Sequence, residues 1–256
     1  MTIIARPLES EEPFSEINAF IAFQQALVSA QAAVLPTLTP DTHNRWTFTG
    51  SVTAIYTVSG DDAPVNYIAI AAHNLIGSEV QFSIKPTGGA LTTIGFLVPS
   101  SNAAIIIRFP EQRVDEVRVS VEAGGITREI GVVFAGVGFQ MQRPLYGGHS
   151  PINLSANTAY QTVMSETGQF LGRNIIRQGI ETSFAWKNLT QDWYRENFQP
   201  FVDAARTRPF FIQWRPEDHP LEVAYGHTTK DIKPTNQAGG VKIMEVEISV
   251  RAHSDI

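Results

Sequence analysis

The segment RPFFIQWRPEDHPLEVAYG, residues 208–226, holds the densest group of chemistry-capable side chains in the chain. Trp214, Arg215, Glu217, Asp218 and His219 crowd a proline-framed turn, with Glu222 just beyond it. Neighbouring carboxylates are what glycoside hydrolysis requires, one as acid and one as base or nucleophile. A histidine adds a group that titrates near neutrality. Apolar residues alternate on both sides of this turn: Phe210, Ile212 and Trp214 before it, Leu221, Val223 and Tyr225 after it. That alternation describes two strands sharing one buried face, joined by a tip that Pro216 and Pro220 stiffen. Spacing along a turn does not fix a carboxylate separation in space. Arg215, Glu217, Asp218 and His219 are therefore expected in solvent or against a neighbouring subunit, not as a catalytic set.

Other chemistries find less support. The six histidines (His43, His73, His149, His219, His227 and His253) include no pair at i, i+4, and the chain has no cysteine. A thiolate zinc site, a thiol nucleophile and a disulfide framework are all excluded. His219 and His227, with Glu222 between them, flank a predicted strand and read as surface residues. Ser165 opens the glycine-containing stretch SETGQFLGRN, yet no glycine precedes it as a nucleophile elbow requires. Gly168 and Gly172 match no phosphate-binding loop. Asp61 and Asp62 in GDDAP lack the ligand spacing of a calcium loop. No catalytic, cofactor or metal set is expected.

The elements that must position these residues divide the chain. A length of 256 residues, 43% apolar, suits one large or two ordinary globular domains. Only 17% of residues are charged, below the usual quarter, so part of the surface is expected to be covered by partner chains. A net charge of -6 opposes direct nucleic-acid binding, which needs a basic face. No apolar run is long enough for membrane insertion and no basic, apolar leader opens the chain.

Residues 1–44 read as an arm (1–13), a helix over FSEINAFIAFQQALVSAQAAV capped by Ser15, and a proline-marked linker. From Trp46 to Gln140, seven or eight short β-branched and aromatic runs alternate with turns, the pattern of a β-sandwich or jelly roll. NYIAIAAHNL is apolar at both parities, as in a strand covered on both faces. In residues 141–256, GIETSFAWKN places Ile180, Thr182, Phe184 and Trp186 on one face of a strand. LTQDWYRENFQPFVDAAR follows as a helix capped by Thr190, burying Tyr194, Phe198, Phe201, Val202 and Ala205, with Pro200 kinking it or opening a second helix. The closing strand VKIMEVEISVRA turns Val246, Ile248 and Val250 one way, with a bulge near Met244. Trp186, Trp193, Trp214, Phe170, Phe184, Phe198, Phe201, Phe210 and Phe211 are expected to form a core between sheet and helix. The fold class is mainly β: a jelly-roll sandwich over 45–140 and a second β-sandwich with one packed helix over 141–256.

Whole segments also resemble a known family. VNYIAIAAHNLIGSEVQFSIK is similar to a discoidin-like, galactose-binding-type jelly roll found in tail proteins of long-tailed bacteriophages. FQMQRPLYGGHSPINLSANT, SETGQFLGRNIIRQGIETSFAWKNL and WYRENFQPFVDAARTRPFFIQWRPEDHPLEVAYGHTT resemble the carboxy-terminal part of the same distal or minor tail proteins. The resemblance spans roughly residues 45–256. It implies a non-enzymatic virion protein at the tail tip or baseplate, made in the host cytoplasm. Such proteins form a ring with themselves, commonly sixfold, that joins the tail tube protein to the baseplate hub or other minor tail proteins. Their ring domain is tube-like, and residues 1–8 would then add a strand to it, making the jelly roll an insertion. The jelly roll precedes the ring-type segment here, whereas in many distal tail proteins the extra domain follows it. The alternative implied function is an adhesin whose jelly roll recognises a host surface glycan.

Overall fold

β-Branched and aromatic runs dictate strands here because their side chains pack on a pleated, half-buried surface. The computed structural model describes residues 18–59, 63–237 and 242–253. The expected arm at 1–13, its strand at 1–8, the Ser15 cap and the Asp61–Asp62 pair lie outside the described residues. The fold is mainly β. Its strands begin with β1 (Phe20–Ala22), β2 (Leu27–Ala30), β3 (Trp46–Thr49), β4 (Val52–Val58) and β5 (Pro64–His73). Next come β6 (Glu79–Pro86), β7 (Thr92–Leu97), β8 (Ile105–Glu122), β9 (Thr127–Gly136) and β10 (Phe139–Gln140). The remainder are β11 (Ala159–Met164), β12 (Phe170–Arg177), β13 (Ile180–Thr190), β14 (Phe210–Gln213), β15 (Val223–Thr228), β16 (Thr235–Asn236) and β17 (Ile243–Ala252).

Two layers make the jelly-roll sandwich, and β8 belongs to both. Its first half pairs with β5, while its second half pairs with β4 and β6. One layer therefore runs β2-β4-β8-β6-β7 and the other β8-β5-β9-β3. Tyr56, Phe82, Val117, Val119 and Val121 from the first meet Ile68, Ile70, Ile130 and Val133 from the second in one core.

The second sandwich is a sheet ordered β10-β1-β14-β15-β17-β13, with β16 paired to β17. One face carries a helix, α1, built from an α turn at Gln191–Trp193, a π segment at Tyr194–Phe198 and α residues Gln199–Ala205. The Thr190 hydroxyl accepts from the Trp193 amide at 3.4 Å, as an N-cap. Tyr194, Phe198, Phe201, Val202 and Ala205 are all buried as their spacing requires. Pro200 stands in the first turn of the α segment Gln199–Ala205, just after the π turn, where its missing amide costs no helix hydrogen bond, as its second expected role required.

The other face of this sheet packs on the jelly roll. Phe20, Ala22, Phe211, Val223 and Tyr225 meet Tyr67, Ala69, Ala71, Ile106, Val132 and Phe134. Strand β5 is thus apolar at both parities because it is covered on both sides, as the NYIAIAAHNL run requires.

Three expectations are corrected. The helix read over FSEINAFIAFQQALVSAQAAV is absent from its described part, which forms β1, β2 and a 3-10 helix at Ala32–Leu38. Phe20 and Ala22 face the jelly roll while Ile21 faces the helix-side core, so a strand buried on both faces imitated helical spacing. Leu27 and Val34 enter the jelly-roll core, and that sandwich begins before the boundary expected at 44/45. Second, Phe211 stands opposite Tyr225 and Ile212 opposite Ala224. Val223 and Tyr225 therefore lie on the sheet face opposite to Ile212, because a one-residue offset reverses every side chain. Third, the irregularity beside Met244 is real but its extra residue belongs to β13: Trp186 pairs with Val246 and Leu189 with Met244. Asn188 there has φ 61°.

Gly226 lies where β15 crosses β17, and a Cβ on it would overlap the Arg251 backbone. Gly147 has open space around the same position. Gly226→Ala should lower unfolding free energy by about 1–3 kcal/mol, against a near-neutral Gly147→Ala, measured by urea denaturation.

Candidate functional site

The polar tip between β14 and β15 satisfies itself. Arg215 and Asp218 form an ion pair at 2.5 Å with both side chains nearly half exposed, an arrangement worth at most about 1 kcal/mol. The His219 ring stacks on Trp214, with centroids 5.4 Å apart and planes 16° apart, and its amide donates to the Arg215 carbonyl. The Trp214 indole donates to the Glu222 carboxylate at 2.5 Å. Glu217 is exposed. Asp218 and Glu222 are thus each committed to a different donor, and the tip is a closed hairpin end. His227 stands at the far end of β15 from His219, so the two imidazoles are not brought together.

The remaining candidates scatter. His73 is fully buried: its Nδ1 accepts from the Leu75 amide, so its Nε2 carries the proton and donates to the Ala103 carbonyl at 2.8 Å. Ser165 lies in the turn joining β11 to β12, where its hydroxyl accepts from the Gln169 amide. Among the described residues, no three or more His, Asp or Glu side chains gather as a metal would require. No helix among them is long and apolar enough to cross a membrane. In the jelly roll, Trp46, Phe48, Tyr56, Tyr67, Phe82, Phe109 and Phe134 are all buried, leaving Phe96 as its exposed ring. One ring on an edge strand is no stacking platform for a sugar.

The densest run of exposed apolar side chains is on the hairpin of β11 and β12. These strands pair only with each other among the described residues. Tyr160 pairs with Ile175 on one face, and Val163 points to the other. The register slips twice, leaving Leu171 and Ile176 as extra residues on β12. Phe170, Leu171, Ile175 and Ile176 are 64%, 63%, 55% and 68% exposed. Phe170, expected in the core, is therefore on the surface. The sequence hides this hairpin because its tip, SETGQ, runs into the glycine-containing FLGRN of β12 without a change of composition. AYQTVM and NIIR flanking a turn closed by Gly168 at φ 81° were the available signal.

The root of this hairpin is fixed. The Asn157 amide donates to Gly179 at 2.8 Å, Ala156 bridges Ile180, and the Glu181 amide donates to Ser155. The Glu181 carboxylate accepts from Arg251 at 2.9 Å and also from the Asn157 side chain. The Arg251 hydrogen bond and charge hold the Glu181 carboxyl below the usual carboxylate range, with lesser help from Asn157 and Arg177.

No protein-family model and no curated protein matches the chain. Similar solved structures include a pectin binding carbohydrate binding module, with TM-score 0.36 and 10% identity, covering 44% of this chain and 93% of its own. Another is the CBM32 of AlyQ in complex with 4,5-unsaturated mannuronic acid, at TM-score 0.35 and 18% identity, covering 45% of this chain and 97% of that one. A Clostridium perfringens CBM32 in complex with GalNAc-β-1,3-galactose has TM-score 0.35 and 9% identity, covering 48% and 96%.

A depressed folded pKa means that the Glu181–Arg251 pair contributes above the unfolded pKa of Glu181 and is lost as pH falls through the folded one. In an NMR titration the Glu181 carboxyl should reach its midpoint below 4.5, and Arg251→Met should move that midpoint up. An unchanged midpoint would show the pair to be absent in solution.

Proposed function

We propose that this chain is a non-enzymatic structural subunit that works by self-association, with the β11–β12 hairpin as its assembly arm. The observation that carries this reading is the exposed apolar hairpin itself. A two-stranded hairpin with no covering layer is marginal in water, and apolar side chains on both of its faces mark a surface that is covered in use. Its outer edges present unpaired backbone groups, which a neighbouring strand can complete. Because the root is tied to β13 while the arm projects, the arm of one copy reaches a different surface on the next. Such head-to-tail contacts close into rings when the rotation permits.

The segmental likeness to phage distal and minor tail proteins gives that ring a setting. It would sit at the tail tip, most simply as a hexamer, between the tail tube protein and the baseplate hub or other minor tail proteins. The second sandwich would supply the ring wall and the jelly roll its outer side. In this assembly the Arg215–His219 tip is a secondary contact, since its charges are already paired within the chain.

Light scattering after size exclusion tests the proposal directly. The full chain is expected to run as a discrete oligomer whose negative-stain images show a closed ring. Replacing Phe170, Leu171 and Ile176 together by serine should give monomer with an unchanged circular dichroism spectrum. Oligomers that survive this triple change, or a parent chain that is monomeric with and without tube and hub partners, would sink the reading.

A further inference from the structure

A cleft of about 560 Å³ opens where the hairpin root, the end of α1, the end of β17 and the Pro40–Thr42 loop converge. Four arginines line it, Arg177, Arg206, Arg208 and Arg251, and no carboxylate does. This is unexpected in a chain of net charge -6. Two of the four are partnered from outside the cleft: Arg251 by Glu181, and Arg206 by Asp203 at 3.6 Å. The guanidiniums of Arg177 and Arg208 make no hydrogen bond or ion pair among the described residues; Arg177 acts on Glu181 only through space. Like charges facing one cleft repel, and an oxyanion placed between them replaces that repulsion with two forked, charge-assisted contacts.

The rest of the lining says what carries the oxyanion. The volume far exceeds a bare ion and falls within the range of small-molecule sites. Gln178 adds a free amide, Thr228 an acceptor oxygen whose proton is engaged with Ala205, and Asn157 a carbonyl whose amide partner is Glu181. Tyr225 closes the inner wall by its buried edge, its ring packed in the seam and its hydroxyl donating to the Pro40 carbonyl at 2.7 Å. Paired cations with scattered neutral donors and acceptors suit a polyhydroxylated molecule bearing a negative group. We infer that this cleft binds an acidic sugar through its oxyanion, with Arg177 and Arg208 as the principal contacts.

Calorimetry on the full chain with four probes tests this: trigalacturonic acid, glucose 1-phosphate, neutral galactotriose and inorganic phosphate. One or both sugar acids should bind at one site per chain, and which of them binds tells carboxylate from phosphate. Arg177→Ala with Arg208→Ala should weaken binding by roughly tenfold or more, as loss of charged hydrogen bonds does. Arg208→Ala alone, at a residue outside the hairpin, should also weaken binding while assembling as the parent does, so failure here is separable from failure of the assembly reading. Equal binding of galactotriose overturns the proposal. Inorganic phosphate binding as tightly as the sugar acids (an adventitious ion only), or undiminished binding by the double variant, overturns it as well.

Discussion

The structure depends on one sheet being covered on both faces. Along β5 and β9, residues of one parity (Ile68, Ile70, Val133 and Ala135) fill the jelly-roll core. Those of the other parity (Tyr67, Ala69, Ala71, Val132 and Phe134) fill the seam with the second sandwich. Neither set can be exchanged by a register slip, because a shift of one residue moves both at once. At the seam Phe134 lies 5.6 Å from Phe211 and 6.0 Å from Tyr225, ring to ring, in the same cluster as Ala69 and Ala71. Each large side chain buried there contributes roughly 1.5–3 kcal/mol. That seam makes the two sandwiches one packed body.

Chain path follows from this seam. The jelly roll is inserted between β1 and β10, which lie side by side in the second sheet, so the chain leaves and returns at nearly the same place. Polar side chains lock the two crossings. Asn66 donates to the Gly138 carbonyl and accepts from its amide, at 2.9 and 2.8 Å. Gln25 does the same to β9 through Val133 and Ala135, and the buried Tyr67 hydroxyl donates to Gln24. Burial and the nearby Tyr225 raise the Tyr67 pKa, so the hydroxyl remains a donor. Gly136 is required at this crossing, since a Cβ there would stand 2.7 Å from the Gln24 carbonyl oxygen.

Period-two patterns with one dry face were readable from the sequence: Thr182, Phe184 and Trp186 in β13, Val246, Ile248 and Val250 in β17. So was the amphipathic helix, whose buried stripe came from spacing alone. What failed shares a cause. Phe20, Ile21 and Ala22 are buried on alternating faces by two different cores, and a residue run that is apolar throughout has no period to read. The register of β14 against β15 is hidden in the same way, since Phe210, Phe211 and Ile212 are all buried. The hairpin of β11 and β12 failed in the opposite sense, because its apolar residues meet nothing in their own chain. Phe170 and Leu171 look like core in any composition count, and only the path of the backbone shows them outside.

That contrast moves the functional weight from the loudest polar segment to a quiet one. At residues 215–219, charge and ring contacts close on themselves, so a partner would have to break Arg215–Asp218 or the Trp214–His219 stack to gain anything. At residues 160–176 Arg173 covers the Tyr160 ring, but Phe170, Leu171, Ile175 and Ile176 are left open. The apolar groups are already in water, and the free edges already lack partners. Arg177 joins the two features that remain open, since it ends β12 opposite Ala159 and also lines the basic cleft. Backbone hydrogen bonds from residues 155–157 to residues 179–181 tie the arm to β13, beside the Glu181–Arg251 pair at the cleft wall. A single polar root therefore orients an apolar surface on one side and a cationic cleft on the other.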